Sequence, residues 1–240
     1  MSNKSNNWKN IWGNRLVSGY ELETEDINRL FSELKRADGF DVGGGELSIG
    51  ALLGQYEDIK QRLTKDAPKP LKSVYEFGCG SGANLLLFER DGFTCGGLDF
   101  SEPLTGIAMR VLKTRDIKCD EAINAEVEPK YDCALSNSVI SYFTDTDYTR
   151  GVLEKMYQKT NYSIGLVDIH DIEKKDEFTA YRRKNIENYD EKYGNLHKLF
   201  YSKDFFADFA REHGLKIEFS ESVVENYWNN DFVFNCFMYK

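Results

Sequence analysis

Val74-Tyr75-Glu76-Phe77-Gly78-Cys79-Gly80-Ser81-Gly82-Ala83-Asn84 reads as a short apolar strand that breaks into a glycine-rich turn and re-enters a helix, Leu85 to Arg90. Glycines in such a turn let the backbone bend sharply and let a ligand lie against main-chain N–H groups at a helix N-terminus. A loop of this kind binds nucleotides or their relatives. The next apolar run ends Gly96-Gly97-Leu98-Asp99, placing a carboxylate 17 residues past Gly82. At the carboxyl edge of the neighbouring strand it can accept hydrogen bonds from both hydroxyls of a ribose.

Two cofactors compete for this arrangement. Gly78, Gly80 and Ala83 have the G-x-G-x-x-G/A spacing of dinucleotide-binding loops, with Asp99 at the distance of their ribose-binding acid. Three features favour S-adenosylmethionine. Glu76 stands two places before the first glycine, where its charge opposes a pyrophosphate but suits a ligand carrying an ammonium and a sulfonium. The third glycine falls at Gly82, giving G-x-G-x-G. The chain also closes on a pair of strands that a dinucleotide-binding half-fold does not need.

Outward from the loop, short apolar runs alternate with longer amphipathic segments, which argues for βαβ units and a mostly parallel, doubly wound sheet. The expected strands are Ser73 to Phe77, Cys95 to Asp99, Asp120 to Asn124, Tyr131 to Ser136 and Ser163 to Asp168. A helix capped by Ser202, carrying Phe205, Phe206 and Phe209, stops at Gly214. Leu215 to Ser220 and Phe232 to Tyr239 follow as strands, joined by too few residues for a crossover helix, and so form an antiparallel hairpin. The texture changes at Pro68-Lys69-Pro70, dividing an N-terminal helical cap or lid, 1–70, from a ligand-binding core, 71–240. Helices are expected over Trp8 to Arg15, Glu25 to Lys35 and Ile49 to Leu63. Gly43-Gly44-Gly45 between the last two is a loop, either a connector or a lid that approaches a ligand.

Glu76-Phe77-Gly78-Cys79-Gly80-Ser81-Gly82, Gly97-Leu98-Asp99-Phe100-Ser101 and Tyr131-Asp132-Cys133-Ala134-Leu135-Ser136-Asn137-Ser138 resemble, in order and spacing, the first, second and fourth motifs of class I S-adenosylmethionine-dependent methyltransferases. The resemblance covers about Ser73 to Lys240 and implies a Rossmann-like, seven-stranded α/β sheet. It also implies that Glu76, Gly78, Cys79, Gly80 and Gly82 cradle the methionyl part, that Asp99 holds the ribose, and that Phe100 flanks the adenine. Asn124, Ala125 and Glu126 would lie near the adenine edge, and Ser136 belongs to the fourth motif. The third motif departs from the family pattern, with Asn124 where an acid often stands, a role that Glu126 can replace. Shorter segments, Asp38-Gly39-Phe40-Asp41, Ser138 to Phe143 and Leu196 to Tyr201, resemble small-molecule methyltransferases of surface-polysaccharide and natural-product biosynthesis.

Methyl transfer is an in-line displacement, so the largest demand on the protein is to hold nucleophile and methyl group close and aligned. A hydroxyl acceptor also benefits from a base, for which histidine is suited. His170, after the strand ending at Asp168, is either that base or a surface histidine beside Asp171. His197 either faces the acceptor or anchors its loop. His213 near a helix C-terminus is structural. Tyr142, Arg183 and Tyr201 are candidate substrate contacts, and Trp8, Trp12 and Arg15 can form one face of an N-terminal helix that covers the cofactor. Cys79 has no paired base and receives no catalytic role.

With 31 basic against 40 acidic side chains the net charge is -9, which argues against nucleic acid as partner. No apolar run is long enough to span a bilayer, and the start of the chain lacks a signal peptide's apolar stretch, so a cytoplasmic protein is expected. Five cysteines without a CxxC pattern are expected to be reduced thiols, with no metal site. The expected activity is methyl transfer to an oxygen or nitrogen of a small polar metabolite, such as a sugar or sugar-linked intermediate. An NAD-dependent oxidoreductase and a catalytically silent cofactor-binding module stand as alternatives, and a homo-oligomer is possible.

Overall fold

The computed structural model describes residues 7–15, 19, 21–40, 47–194, 196–222 and 224–240; the three glycines at 43–45 lie outside them. Two sequence signals shape the N-terminal part. Asp26 accepts from the backbone N–H groups of Asn28 and Arg29 and so starts helix α2, Ile27–Lys35, whose Leu30, Phe31 and Leu34 are buried. Ser48 caps α3, Ile49–Leu63, in the same way. A first helix, α1, spans Asn7–Gly13. After α2 the chain makes a wider turn, Arg36–Phe40, with Gly39 inside it at φ +99°.

Among the described residues seven strands form one sheet: β1 Ser73–Phe77, β2 Thr94–Asp99, β3 Ile117–Cys119, β4 Tyr131–Asn137, β5 Thr160–His170, β6 Lys216–Glu221 and β7 Val233–Tyr239, in the order β3-β2-β1-β4-β5-β7-β6. Crossovers are made by α4 Ala83–Arg90, α5 Glu102–Val111 and α6 Thr146–Lys159. β7 lies antiparallel between β5 and β6, so it alone runs against the sheet. Every residue of β7 is buried, as an internal strand covered on both faces requires. After β5 come α7 Lys175–Asn185, α8 Tyr189–Tyr193 and α9 Lys203–Glu212.

One expected strand is displaced. Asp120 to Asn124 is not extended; the third strand is Ile117–Cys119, and Ala122–Asn124 forms a single tight helical turn. Only Ile117 of this edge strand is buried, so no run of apolar residues marks it.

Side chains alternate across the sheet into two cores. Val74, Leu135, Phe237 and Tyr239 meet Phe31 and Leu34 of α2, Ile59 and Leu63 of α3, and Leu85 and Leu87 of α4. Tyr75, Phe77, Cys236 and Met238 meet Val152 and Met156 of α6 and Phe206 and Phe209 of α9. Phe206 is wholly buried beside Tyr201 and Phe234. Phe206→Ala is expected to cost about 3–5 kcal/mol of stability, read from urea unfolding.

Candidate active site

The order of strands reverses between β1 and β4, and ligands of open α/β sheets bind at the carboxyl ends of the strands where this happens. Here the reversal opens into a cavity of about 450 Å³. One half is built on the glycine loop. The N–H groups of Gly78 and Cys79 both donate to the Leu98 carbonyl, at 2.8 and 3.0 Å, which ties the loop to β2. Asp99 then takes the Gly80 N–H on Oδ2 at 3.0 Å and the Ser101 N–H on Oδ1 at 2.8 Å. Burial pushes this carboxyl up, and the two N–H groups oppose the shift.

Two loop glycines are sterically required. A Cβ on Gly78 would stand 2.4 Å from Val139, and one on Gly80 would stand 2.5 Å from Asp38, both at positive φ. Gly78→Ala is expected to lose about 1–3 kcal/mol of stability from backbone strain alone, read from a thermal melt. Gly82 plays another part. At φ +86° it starts α4, and a Cβ there would meet Leu112 at 2.7 Å, away from the cavity.

Beneath the loop lies a buried polar cluster that α2 completes. Glu76 Oε1 accepts from Asn84 Nδ2 at 2.7 Å, and Lys35 Nζ donates to Asn84 Oδ1 at 3.2 Å. Glu76 Oε2 is buried without a hydrogen-bond partner. Asp38 Oδ1 accepts from the Ser81 N–H at 2.8 Å, while Ser81 Oγ donates to the Leu34 carbonyl at 3.0 Å. Desolvation dominates these groups: it pushes Glu76 up to about 8 and Asp38 up to about 6, and it pulls Lys35 down. Burial also raises the Cys79 thiol strongly, so a thiolate is not available there.

The other half is lined by ends of β4 and β5 and by later loops. Ser138, Val139 and Tyr142 follow β4; Asp168 and His170 end β5; Lys198, Tyr227 and Trp228 come from connecting segments. Trp8 closes the mouth, donating from Nε1 to the His197 carbonyl at 2.9 Å and meeting Tyr142 edge-on with centroids 4.8 Å apart. Ser101 Oγ donates to the Trp12 carbonyl at 2.8 Å and holds α1 over the end of β2.

The cavity brings together Glu76, Gly78, Cys79, Gly80, Asp99, Phe100, Tyr142 and His170 from the residues singled out in the sequence. Others fall elsewhere. Ser136 is buried inside β4, and Tyr201 is buried with its hydroxyl 2.7 Å from Thr149 Oγ1 and 2.8 Å from the Ile140 carbonyl. Asn124 bonds Asp120, Ala125 is buried in the core, and Glu126 points outward toward Lys118; Asp120, Glu121 and Ala122 line the cavity in their stead. Because the third strand ends earlier than expected, the wall is shifted by a few residues toward the N-terminus. Arg183 is exposed and pairs with Asp190 at 2.9 Å, whereas its neighbour Arg182 faces inward. The exposed His197 side chain does not line the cavity; its carbonyl anchors Trp8. His213 bonds the Phe209 carbonyl and Glu154 near the end of α9, a structural role.

His170 is deeply enclosed. Its Nδ1 lies 3.0 Å from Ser141 Oγ, its Nε2 stands 3.5 Å from Lys198 Nζ, and Phe178 and Phe200 flank the ring. Burial and the neighbouring cations hold its pKa well below the usual value. Ser141 on Nδ1 and the longer approach of Lys198 to Nε2 hold the ring at the cavity wall.

The orphaned Glu76 Oε2 fits a ligand carrying an ammonium better than a pyrophosphate. Residues 51–218 match the model of a methyltransferase domain. The chain belongs to that family. This methyltransferase uses S-adenosylmethionine, and the dinucleotide reading of the loop gives way. No curated protein sequence matches the chain. Solved structures share its fold. A magnesium protoporphyrin IX methyltransferase from Synechocystis with bound S-adenosylmethionine superimposes with a TM-score of 0.60 at 11% identity, covering 100% of this chain and 98% of that one. A plantazolicin methyltransferase in complex with S-adenosylhomocysteine gives 0.57 at 14%, covering 90% and 98%. An amino pentose methyltransferase from Micromonospora echinaspora involved in calicheamicin biosynthesis gives 0.58 at 10%, covering 78% and 91%. No described helix of the methyltransferase is long and apolar enough to cross a membrane.

Proposed function

We propose that this methyltransferase acts on an oxygen or nitrogen of a small polar metabolite, with sugars and sugar-linked intermediates of surface-polysaccharide assembly as the first class to examine. The observation that carries the reading is the division of one cavity into two unlike halves. Glycine backbone and the carboxylates Glu76 and Asp99 form one; aromatic faces interspersed with Asp168, Lys198 and Arg182 form the other. Aromatic planes with a few charged groups suit a compact polar ring.

In this reading Glu76 Oε2 accepts from the cofactor's ammonium, Gly78 to Gly80 lie against its methionyl part, and Asp99 takes the ribose hydroxyls. Phe100 and Ala122 flank the adenine. S-adenosylmethionine, when bound, supplies an electrophilic methyl group on a sulfonium. The N-terminal segment acts as a cap: Trp8 covers the acceptor half beside Tyr142, Trp12 lies over the end of β2, and Asp38 buttresses the loop. The protein's own contribution is proximity and orientation.

The structural relatives differ widely in what their names say they methylate, from a porphyrin to an amino pentose, so the fold does not choose the acceptor. The test is release of S-adenosylhomocysteine on incubation with a panel of free and nucleotide-linked sugars. Saturable release with a sugar supports the reading; release only with acceptors of other classes would replace it.

A further inference from the structure

Asp168 is an unusual residue for the end of a strand. It is 4% exposed, and its backbone sits at φ +64°. Ser138, at the end of the adjacent β4, sits at φ +59°. Left-handed backbone at residues other than glycine is strained and persists where the surroundings impose it. The surroundings do so here. Asn235 Oδ1 accepts the Asp168 N–H at 3.0 Å, the Val167 carbonyl accepts the Ser138 N–H at 2.9 Å, and the β5–β7 register shifts between Leu166 and Ile169. The result is a carboxylate set in the cavity wall.

Its two oxygens are not equivalent. Oδ2 accepts from Ser138 Oγ at 2.6 Å and from the Tyr227 hydroxyl at 2.9 Å. Oδ1 is buried and has no partner. A buried carboxylate oxygen left open costs free energy unless a ligand completes it. Nothing in the cofactor reading uses this oxygen.

The geometry points to Asp168 Oδ1 as the docking point of the methyl acceptor, and to an amine nitrogen as the acceptor's nucleophile. This rests on the cofactor reading above. A hydroxyl needs a strong base; here His170 sits between Ser141 and Lys198, and Asp168 is a carboxylate that burial pushes up while Ser138, Tyr227, Lys198 and Lys35 oppose the shift. An amine needs less. Its ammonium form is drawn to the carboxylate, whereas the Tyr142 and Trp228 rings already carry Lys198 and Arg182 over their faces. It passes one proton to Asp168, which returns it to solvent, and keeps an N–H on Oδ1 that aims the lone pair. The nitrogen then forms its bond to the methyl carbon as the carbon–sulfur bond breaks, the electron pair stays on sulfur, and the product leaves as a methylammonium ion.

The test compares hexosamines with the hexoses that carry a hydroxyl in the same place, free and nucleotide-linked. Each is titrated into protein saturated with S-adenosylhomocysteine and followed by tryptophan fluorescence. At least one amine is expected to bind about 10- to 100-fold tighter than its hydroxyl twin, and Asp168→Asn is expected to erase that difference. The acid limb of the turnover profile should also move up to the amine's own pKa in the variant. The wild-type comparison stands even if the variant does not fold. An amine preference absent from the whole panel, or one that survives in a folded Asp168→Asn protein, overturns the proposal. Failure of the wild-type protein to bind S-adenosylhomocysteine is a separate result and would overturn the cofactor reading instead.

Discussion

Asp99→Ala is expected to weaken binding of S-adenosylhomocysteine by about a hundredfold or more, measured by calorimetry. The carboxylate already holds the Gly80 and Ser101 N–H groups, one on each oxygen, and each oxygen has a further lone pair for a ribose hydroxyl. A hydrogen bond to a charged group contributes about 1.5–3 kcal/mol, so losing two corresponds to at least about two decades in affinity. The substitution also frees the Gly80 N–H and loosens the loop on which the methionyl part would lie. Asp99→Asn keeps one acceptor oxygen and should fall between the two. A variant that retains its thermal melt yet binds as tightly as wild type would remove Asp99 from the site.

Glu76→Gln is expected to separate stability from binding. In the ligand-free protein the Glu76 carboxyl is raised to about 8 by burial, so at neutral pH the folded state carries a proton there that the unfolded state lacks. Stability from this group is therefore fully present below the ordinary carboxyl range, about 4.5, and is lost as pH rises through about 8. Asp38, raised to about 6, adds a change of the same sign over a lower window. Glutamine mimics the protonated form, so the variant should lack the Glu76 part of this decline and be the more stable protein at high pH. Binding runs the other way. An ammonium at Oε2 requires the ionised carboxylate, so S-adenosylhomocysteine should expel a proton on binding. Its affinity should climb roughly tenfold per pH unit below the carboxyl's pKa. The glutamine variant should bind about a hundredfold more weakly, with that climb removed.

Much of this was visible in the sequence because the information was local. The glycine turn, the acid two places before it and Asp99 lie on consecutive elements, β1 to β2, whose spacing is set by one crossover. The closing β6–β7 pair announced itself by the short span between two apolar runs. What was not legible depends on contacts between distant segments. Lys35 and Asp38 reach the loop only because the apolar face of α2 packs against α4, and no periodicity in residues 27–38 shows that their polar neighbours point at Asn84 and Ser81. Asp168 looked like an ordinary strand end, since neither its left-handed backbone nor its Tyr227 partner, 59 residues away, leaves a local trace. Arg183 and Arg182 are adjacent on a helix and so diverge by about 100° in direction. Which of them faces the cavity is decided by Tyr193 and Trp228, whose rings lie 4.9 and 5.3 Å from the Arg182 guanidinium. The short edge strand Ile117–Cys119 escaped for a similar reason, with one buried residue and no alternation to find.

The most direct measurement is calorimetric titration of the protein with S-adenosylhomocysteine at several pH values and in buffers of different ionisation enthalpy, with NAD run alongside. One-to-one binding of S-adenosylhomocysteine alone is expected, with close to one proton released at neutral pH in the wild type and none in Glu76→Gln. Saturable binding of NAD, or binding of S-adenosylhomocysteine with no proton released and undiminished in Glu76→Gln, would contradict that expectation.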